Sequence, residues 1–101
     1  MSDKYILADD GKTPIPCDLM TWARSDRTKT QIRETINDVD VSTVFLGLDH
    51  SFGGPTPILW ETMIFGGPHD GYQARYATHD EAMIGHAKAR EIAAGTREPE
   101  E

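Results

Sequence analysis

Two apolar segments that flank a loop of glycines and prolines place the strongest constraint on how this chain can fold. Residues 41–48 and 58–65 are both rich in β-branched and aromatic side chains, which favour strands. Residues 49–57 between them include Gly53 and Pro55, and such residues favour turns and interrupt regular pairing. The pattern predicts two adjacent antiparallel strands joined by a loop that is long enough to present side chains to a partner.

Weaker patterns predict one further strand on either side of this pair. Residues 28–36 precede it with only a short polar turn between, and residues 72–77 follow it after a second loop rich in turn formers. Residues 4–8 are compatible with a short edge strand. The strands are therefore expected to follow one another in space as an antiparallel meander.

Capping signals predict two helices. Thr78 and Glu81 stand at the spacing of a capping box, and Gly95 is suited to end the helix that starts there. Asp18 is suited to cap a short helix over residues 19–25. The side chains expected to face inward from that short helix are those of Leu19, Trp22 and Ala23.

Together these elements predict an α+β domain. Its expected architecture is a three- to four-stranded antiparallel β-meander, with the C-terminal helix and the short N-terminal helix packed on one face. A chain of 101 residues suffices for one small domain with one core, expected over residues 1–95. Residues 96–101 contain three glutamates and a proline, which predicts a disordered acidic tail.

The loop lengths suggest a register in which residue 36 pairs with 41, residue 48 with 58 and residue 65 with 72. A slip of one residue would turn a strand over, so this register decides which face is core. The expected core face carries Ile32, Ile36, Val41, Phe45, Leu59, Met63, Phe65, Tyr72 and Tyr76. The opposite face has an apolar centre and a polar rim, the anatomy of a protein interface, with Trp60 as its expected anchor. The predicted interface residues are Leu46, Leu48, Ile58, Trp60, Ile64 and Arg75.

The loop over residues 49–57 is also a candidate site for a small ligand or nucleotide. It crowds aromatic, polar and flexible groups together, and one further histidine is expected at the same end of the sheet. The candidate ligand residues are Asp49, His50, Phe52, Gly53 and His79. Three His–Asp pairs suggest a metal site, but a meander separates their histidines, so no metal is expected.

One charged residue, Glu61, interrupts the second apolar segment. In the expected register its carboxylate lies on the core face between Phe45 and Tyr76, where it must be paired, hydrogen-bonded or neutral. The alternatives are a general acid or base, a ligand anchor, a carboxylate bonded to the donor of Tyr76 or Trp22, and a strand-end side chain that reaches water. No catalytic constellation forms in this geometry, so the sequence predicts neither an enzyme nor a bound cofactor.

Charge and hydropathy narrow the range of partners. A net charge of −7 disfavours direct binding to nucleic acid, because that affinity comes mainly from phosphate contacts. Neither a membrane span nor a secretory signal is expected, since no apolar stretch has the required length or flanks. Cys17 is the single cysteine, which fits a reducing cytoplasm.

A family resemblance is carried by three segments, VSTVFLGLDHSF, WETMIFGGPHD and RYATHDEAMIGH. Together they resemble a family of short uncharacterised proteins of bacteriophage and prophage genomes, over roughly residues 26–87. The resemblance implies a small accessory protein in the cytoplasm of an infected bacterial cell, and it implies no particular activity. We therefore expect a non-enzymatic binding protein that acts through protein–protein contacts, including with itself as a homodimer. The alternative is a protein that sequesters a small ligand or nucleotide, and a metal-dependent enzyme comes third.

Overall fold

The computed structural model describes residues 3–25 and 31–99, and it has the predicted α+β fold. Within these residues the strands are β1 (Tyr5–Leu7), β2 (Pro14–Pro16), β3 (Ile32–Ile36), β4 (Val39–Phe45), β5 (Trp60–Phe65) and β6 (Gln73–Tyr76). The helices are α1 (Leu19–Arg24) and α2 (His79–Ala94). An antiparallel meander in the order β3-β4-β5-β6 carries α2 on one face, and β1 and β2 pair separately. Residues 28–30 of the predicted third strand lie outside the described part of the chain.

A tight turn joins β3 to β4. Asn37 and Asp38 have φ angles of 52° and 65°, the left-handed conformation that a two-residue hairpin turn requires and that these residue types tolerate. Ile36 therefore pairs with Val39, and the predicted pairing with Val41 is wrong. Because the offset is two residues, the side chains of β3 keep their predicted face.

The predicted register is wrong by one residue on both sides of β5. Phe45 pairs with Trp60, and Trp60 in turn pairs with Tyr76. Since successive side chains point to opposite faces, this shift turns the whole of β5 over relative to the prediction. Trp60 and Ile64, which we expected on the outer face, lie beneath α2 with 1% and 0% of their surface exposed.

The outer face of the sheet is correspondingly more polar than predicted. Met63 and Phe65, expected in the core, face outward, and Phe65 is 42% exposed with the Arg33 guanidinium 5.7 Å from its ring centre. Ion pairs cross this face, including one of 2.8 Å between Arg33 and Asp40. The observed register is favoured because it buries a tryptophan and an isoleucine and places the Glu61 carboxylate on the outer face, 2.9 Å from Arg75 Nε.

The ends of α2 are confirmed as predicted. The Thr78 hydroxyl accepts from the Glu81 amide at 3.1 Å and donates to the Glu81 carboxylate at 3.0 Å. Gly95 ends the helix with a φ of 81°, a conformation that glycine adopts without steric cost. Among the described residues, no helix combines the length and apolar character needed to cross a membrane.

Small residues on α2 let it lie close to the sheet. The buried positions of the helix are Ala82, Gly85, His86, Ala89 and Ile92. At one end, Ala89 and Ile92 pack with Val41 and Ile64 of the central strands. At the other end Ala82 packs with Phe45, Leu59 and Trp60, and β1 covers this cluster with Tyr5 and Leu7.

Helix α1 makes less contact than predicted. The Asp18 side chain accepts from the Thr21 amide at 2.8 Å, as the capping signal indicates. Leu19 is 57% exposed and Ala23 is also exposed, so only Trp22 of the three expected side chains turns inward. Six residues make fewer than two turns, which is too short to bury a stripe of side chains.

Candidate functional site

The loop over residues 49–57 is built around one carboxylate. The Asp49 side chain accepts hydrogen bonds from the backbone amides of Ser51 at 2.7 Å and Ile58 at 3.0 Å, so it ties both ends of the loop together. The Gly54 amide donates to the Ser51 carbonyl oxygen at 3.2 Å. These bonds to the carboxylate, led by the one from Ile58, hold the pKa of Asp49 below its usual value. The loop therefore has an internal framework of its own.

Phe52 stands in this loop in an unfavourable position. Its surface is 87% exposed, and its backbone has a φ of 54° in the left-handed region. A residue with a Cβ crowds the following carbonyl there, at a cost of about 1 kcal/mol or more. The ring meets His50 edge-on with 6.3 Å between ring centres. The fold thus holds an apolar ring in water by means of a strained backbone.

The predicted ligand residues are divided between the loop and the helix. Asp49, His50, Phe52 and Gly53 lie in the loop. The Nδ1 atom of His50 lies 2.9 Å from the carbonyl oxygen of Leu48. His79 lies at the start of α2, where its ring meets Trp60 edge-on with 5.3 Å between ring centres. His79 is therefore a packing partner of the core tryptophan.

The predicted interface residues also separate into two groups. Trp60 and Ile64 belong to the core, so the prediction that Trp60 anchors an interface is wrong. Leu46, Leu48 and Ile58 are partly buried near the loop, and Leu48 forms an isolated antiparallel bridge with Lys4. These residues support the base of the loop, because the Ile58 amide is one of the donors to the loop carboxylate.

Glu61 and Tyr76 lie on opposite faces of the sheet, contrary to the prediction. Glu61 faces outward, where its carboxylate bonds to Arg75 Nε at 2.9 Å and to the side-chain amide of Gln73. Arg75 is thus the ion-pair partner of this carboxylate on the outer face. Tyr76 faces α2, and its ring lies so close to Gly85 that a Cβ there would overlap the phenolic oxygen.

A chain of polar side chains, missed by the sequence analysis, crosses the core between α2 and the sheet. The Nδ1 atom of His86 lies 2.6 Å from Thr43 Oγ1, which lies 2.6 Å from Thr62 Oγ1. On the other side of the ring, His86 Nε2 lies 2.7 Å from Glu34 Oε1. The second oxygen of Glu34 lies 3.3 Å from Arg90 Nε. Both threonines are fully buried, so they depend on one another for hydrogen bonds.

Tyr76 lies on the edge strand β6 and faces the same helix as this chain. Burial raises the pKa of Tyr76, and the Thr62 side chain lowers it to a smaller extent. One signal in the sequence pointed toward the chain. His86 stands on the apolar stripe of the helix, where an imidazole needs a polar partner from the sheet.

A groove with a volume of about 280 Å³ runs beside Tyr76, between β6 and α2. Its walls combine apolar and aromatic surface with charged groups at the rim. The lining residues are Tyr72, Ala74, Tyr76, Glu81, Ile84, Gly85, Lys88, Ile92, Arg97 and Glu98. Arg97 and Glu98, which follow α2, contribute to the rim. Arg97 is held there by an ion pair of 2.7 Å with Glu91. This groove, like the buried polar chain, was not predicted.

Metal ligation and related proteins offer no further guide to the site. In the described ranges, no three histidine, cysteine, aspartate or glutamate side chains are grouped so that they would hold a metal ion. Comparison with protein-family models, with curated proteins and with solved structures gives no match. The function must therefore be inferred from the geometry of this chain's own residues.

Proposed function

We propose that this protein binds another protein and that Phe52 is the apolar anchor of the contact. The observation that carries the proposal is a phenylalanine that is 87% exposed, at positive φ, in a loop braced by Asp49. Aromatic side chains dominate the binding energy of many interfaces when they enter a pocket on the partner. The proposed function is binding without catalysis, in the cytoplasm of a bacterial host. The phage context stays a prediction from the resemblance.

Both features of Phe52 are unfavourable for the protein on its own. An exposed phenylalanine forgoes about 2 kcal/mol of burial, and the left-handed backbone costs about 1 kcal/mol more. A partner that covers the ring recovers the first of these terms. Because the Asp49 carboxylate already holds the loop, little conformational entropy remains to be lost on binding.

The partner is expected to surround its pocket with basic side chains. The chain carries a net charge of −7. Asp3, whose side chain is 71% exposed, lies beside the loop, because its carbonyl oxygen accepts from the Asp49 amide at 2.8 Å. Complementary charge speeds association and is screened by salt, so the association rate should fall as ionic strength rises. A second copy of the chain has the same negative charge, which favours a different protein over the predicted homodimer.

A photoreactive phenylalanine at position 52 tests the proposal directly. We would replace Phe52 by p-benzoylphenylalanine, which keeps the ring and captures C–H bonds that touch it on irradiation. In a bacterial lysate this variant should give a cross-linked species. The matched variant at Ile84, which is 61% exposed on α2, should not give that species. Phe52→Ala should abolish copurification of the same protein without lowering the unfolding midpoint.

Other outcomes of these experiments point elsewhere. Equal capture from both positions, or copurification that survives Phe52→Ala, would contradict the anchor. A dimer of the purified protein that dissociates on Phe52→Ala in sedimentation would identify the partner as a second copy. Shifts of the His50, Phe52 and Gly53 amide signals on titration with common and cyclic nucleotides would favour the small-ligand alternative.

A further inference from the structure

Strand β6 forms one edge of the four-stranded sheet, so part of its backbone points away from β5. The carbonyl oxygen of Tyr72 accepts from the Ile64 amide of β5 at 3.0 Å. Because backbone groups alternate in direction along a strand, those of Gln73 and Arg75 point away from β5. In the part of the chain that the structure describes, no group bonds to these two amides and two carbonyl oxygens. They form a template on which another strand can pair.

The groove between β6 and α2 runs along the helix-facing side of this open edge. Tyr72, Ala74 and Tyr76 line it from β6, and the exposed side chain of Ile84 lines it from α2. A strand that paired with β6 would place every second side chain on this side of the sheet, in the groove. The edge and the groove therefore suit the same kind of ligand, an extended segment of polypeptide.

The charges of the groove follow one another as negative, positive, negative. Glu81 lies near the Tyr76 end, because it precedes Gly85 by about one turn of α2 and Gly85 lies against Tyr76. Glu98 follows the end of α2, and Lys88 stands between the two glutamates. Among the described residues none of the three forms an ion pair. They attract a basic side chain at each end of an occupant and repel one in its middle.

The same charges disfavour a second copy of this chain as the occupant. Two β6 strands paired in antiparallel fashion would bring the Tyr72 end of one groove beside the Tyr76 end of the other. Glu81 of each copy would then lie near Glu98 of the other, and the two Lys88 side chains would approach one another. Like charges so placed oppose association, and a net charge of −7 on each copy adds to the repulsion. A positively charged segment of a different protein meets no such repulsion.

We infer that β6 and the groove bind an extended, positively charged segment of another protein, which adds to the sheet as a further strand. The side chains that it directs into the groove are basic, apolar and basic at alternate positions. The apolar one faces Ala74, whose small side chain leaves room for it. The two basic ones lie about 14 Å apart, as residues i and i+4 of a strand do. Phe52 does not line the groove, so this surface is independent of the contact proposed there.

A capped heptapeptide of sequence Ser-Lys-Thr-Val-Thr-Lys-Ser tests the inference. Its lysines and valine stand at alternate positions, and its two threonines would pair with Gln73 and Arg75. In titrations at low ionic strength it should shift the amide signals of β6. It should also protect the amides of Gln73 and Arg75 from hydrogen exchange, because each gains an acceptor. The amide of Ala74 points to β5 and is the internal reference.

Two altered peptides separate the contributions of the backbone and of the charges. N-methylation of both threonines removes the donors to β6 and keeps every side chain, so the affinity should fall about tenfold. A ligand held by its side chains alone would not respond in this way. Replacement of both lysines by glutamate reverses the charge at each end of the segment and should also weaken binding about tenfold.

Three protein variants complete the test. Gln73→Pro removes one outward-pointing amide at an edge position that tolerates proline, so it should weaken binding about tenfold. Glu98→Gln should weaken binding of the lysine peptide about threefold. Phe52→Asn is the control outside the groove and should leave the affinity unchanged. If Gln73→Pro does not fold, the N-methylated peptide tests the same backbone pairing on the unaltered protein.

Four results would overturn the inference. The first is no shift at millimolar peptide, and the second is an N-methylated peptide that binds as tightly as its parent. The third is equal affinity for the glutamate peptide. The fourth is protection of Gln73 and Arg75 that rises with protein concentration when no peptide is present, because a second copy would then occupy the edge. None of these results bears on Phe52, so the groove and the contact at Phe52 stand or fall separately.

Discussion

Replacing Gly85 with alanine should reverse the usual effect of that substitution in a helix. Gly85 lies inside α2, where alanine normally stabilises by about 1 kcal/mol. In this fold the added Cβ would overlap the phenolic oxygen of Tyr76 and approach its Cε1 atom to 2.6 Å. The core behind the ring is close-packed, so the ring must swing into the groove or α2 must move away.

The size of the effect follows from two opposing terms. Overpacking of this kind costs about 1–3 kcal/mol, and helix propensity returns about 1 kcal/mol. Gly85→Ala should therefore lower the free energy of unfolding by about 1 kcal/mol, which is about 5 °C in melting temperature for a domain of this size. In a Tyr76→Ala background the overlap is gone, and the same change should stabilise by about 1 kcal/mol. The two positions are thus coupled by about 2 kcal/mol.

Urea unfolding followed by circular dichroism measures all four members of this cycle. Ala87→Gly is the matched control, because Ala87 is exposed on the same helix and its replacement should cost about 1 kcal/mol through propensity alone. If Gly85→Ala stabilised the wild-type protein by as much as Ala87→Gly destabilises it, Tyr76 would not lie against α2. The groove between β6 and α2 would then lose the wall that Tyr76 forms.

Three further predictions concern the loop and the start of α2. Phe52→Asn should keep the free energy of unfolding or raise it by up to about 1 kcal/mol, because asparagine tolerates left-handed backbone; a clear loss in urea unfolding would mean that Phe52 supports the fold. Thr78→Ala should cost about 1 kcal/mol through loss of the helix cap, and an unchanged urea midpoint would argue against that role. The pKa of Asp49 is lowered in the fold, so its contribution to stability is present above the ordinary carboxyl pKa and is lost as pH falls through the lowered value. Asp49→Asn should therefore flatten the decline of the urea midpoint in acid, and a decline as steep as that of the wild type would refute this.

Local signals in the sequence were sufficient to predict the strands of the meander and the two helices. Thr78 and Gly95 set the ends of α2, because a cap acts on the backbone within one turn of itself. The meander follows from the general preference for successive strands to lie side by side in a sheet. Such information is carried by residues close together in the chain, so it is visible before any tertiary contact is known.

The register of β5 depends on contacts that are distant in sequence. The loop over residues 49–57 is too long to impose a pairing, so β5 can meet β4 in either of two registers that differ by one residue. The choice depends on placing Trp60 beneath α2 and Glu61 beside Arg75. Helix α2 and Arg75 are both distant from β5 in the sequence. For this reason the predicted register assigned the two faces of β5 the wrong way round.

The buried polar chain was missed for a related reason. Glu34 and His86 are 52 residues apart, and nothing in either local pattern identifies the other as its partner. Thr43 and Thr62 are β-branched, so they read as ordinary strand residues, and only the observed pairing of β4 with β5 places them opposite one another. The signal that remained in the sequence was a histidine on the apolar stripe of a helix.

Three positions violate the preferences of the structure around them, and they differ in what compensates each violation. Gly85 weakens the interior of α2, and the ring of Tyr76 occupies the space that its missing side chain leaves. Glu34 is a charged residue on the helix-facing side of β3, where it forms a hydrogen bond with His86 and an ion pair with Arg90. Phe52 combines a left-handed backbone with an exposed ring, and its one described ring contact is with His50. Unfavourable local geometry that nothing in the described residues compensates is a feature of binding residues, because a bound partner can supply the compensation. By this reasoning the proposed partner should be sought at Phe52.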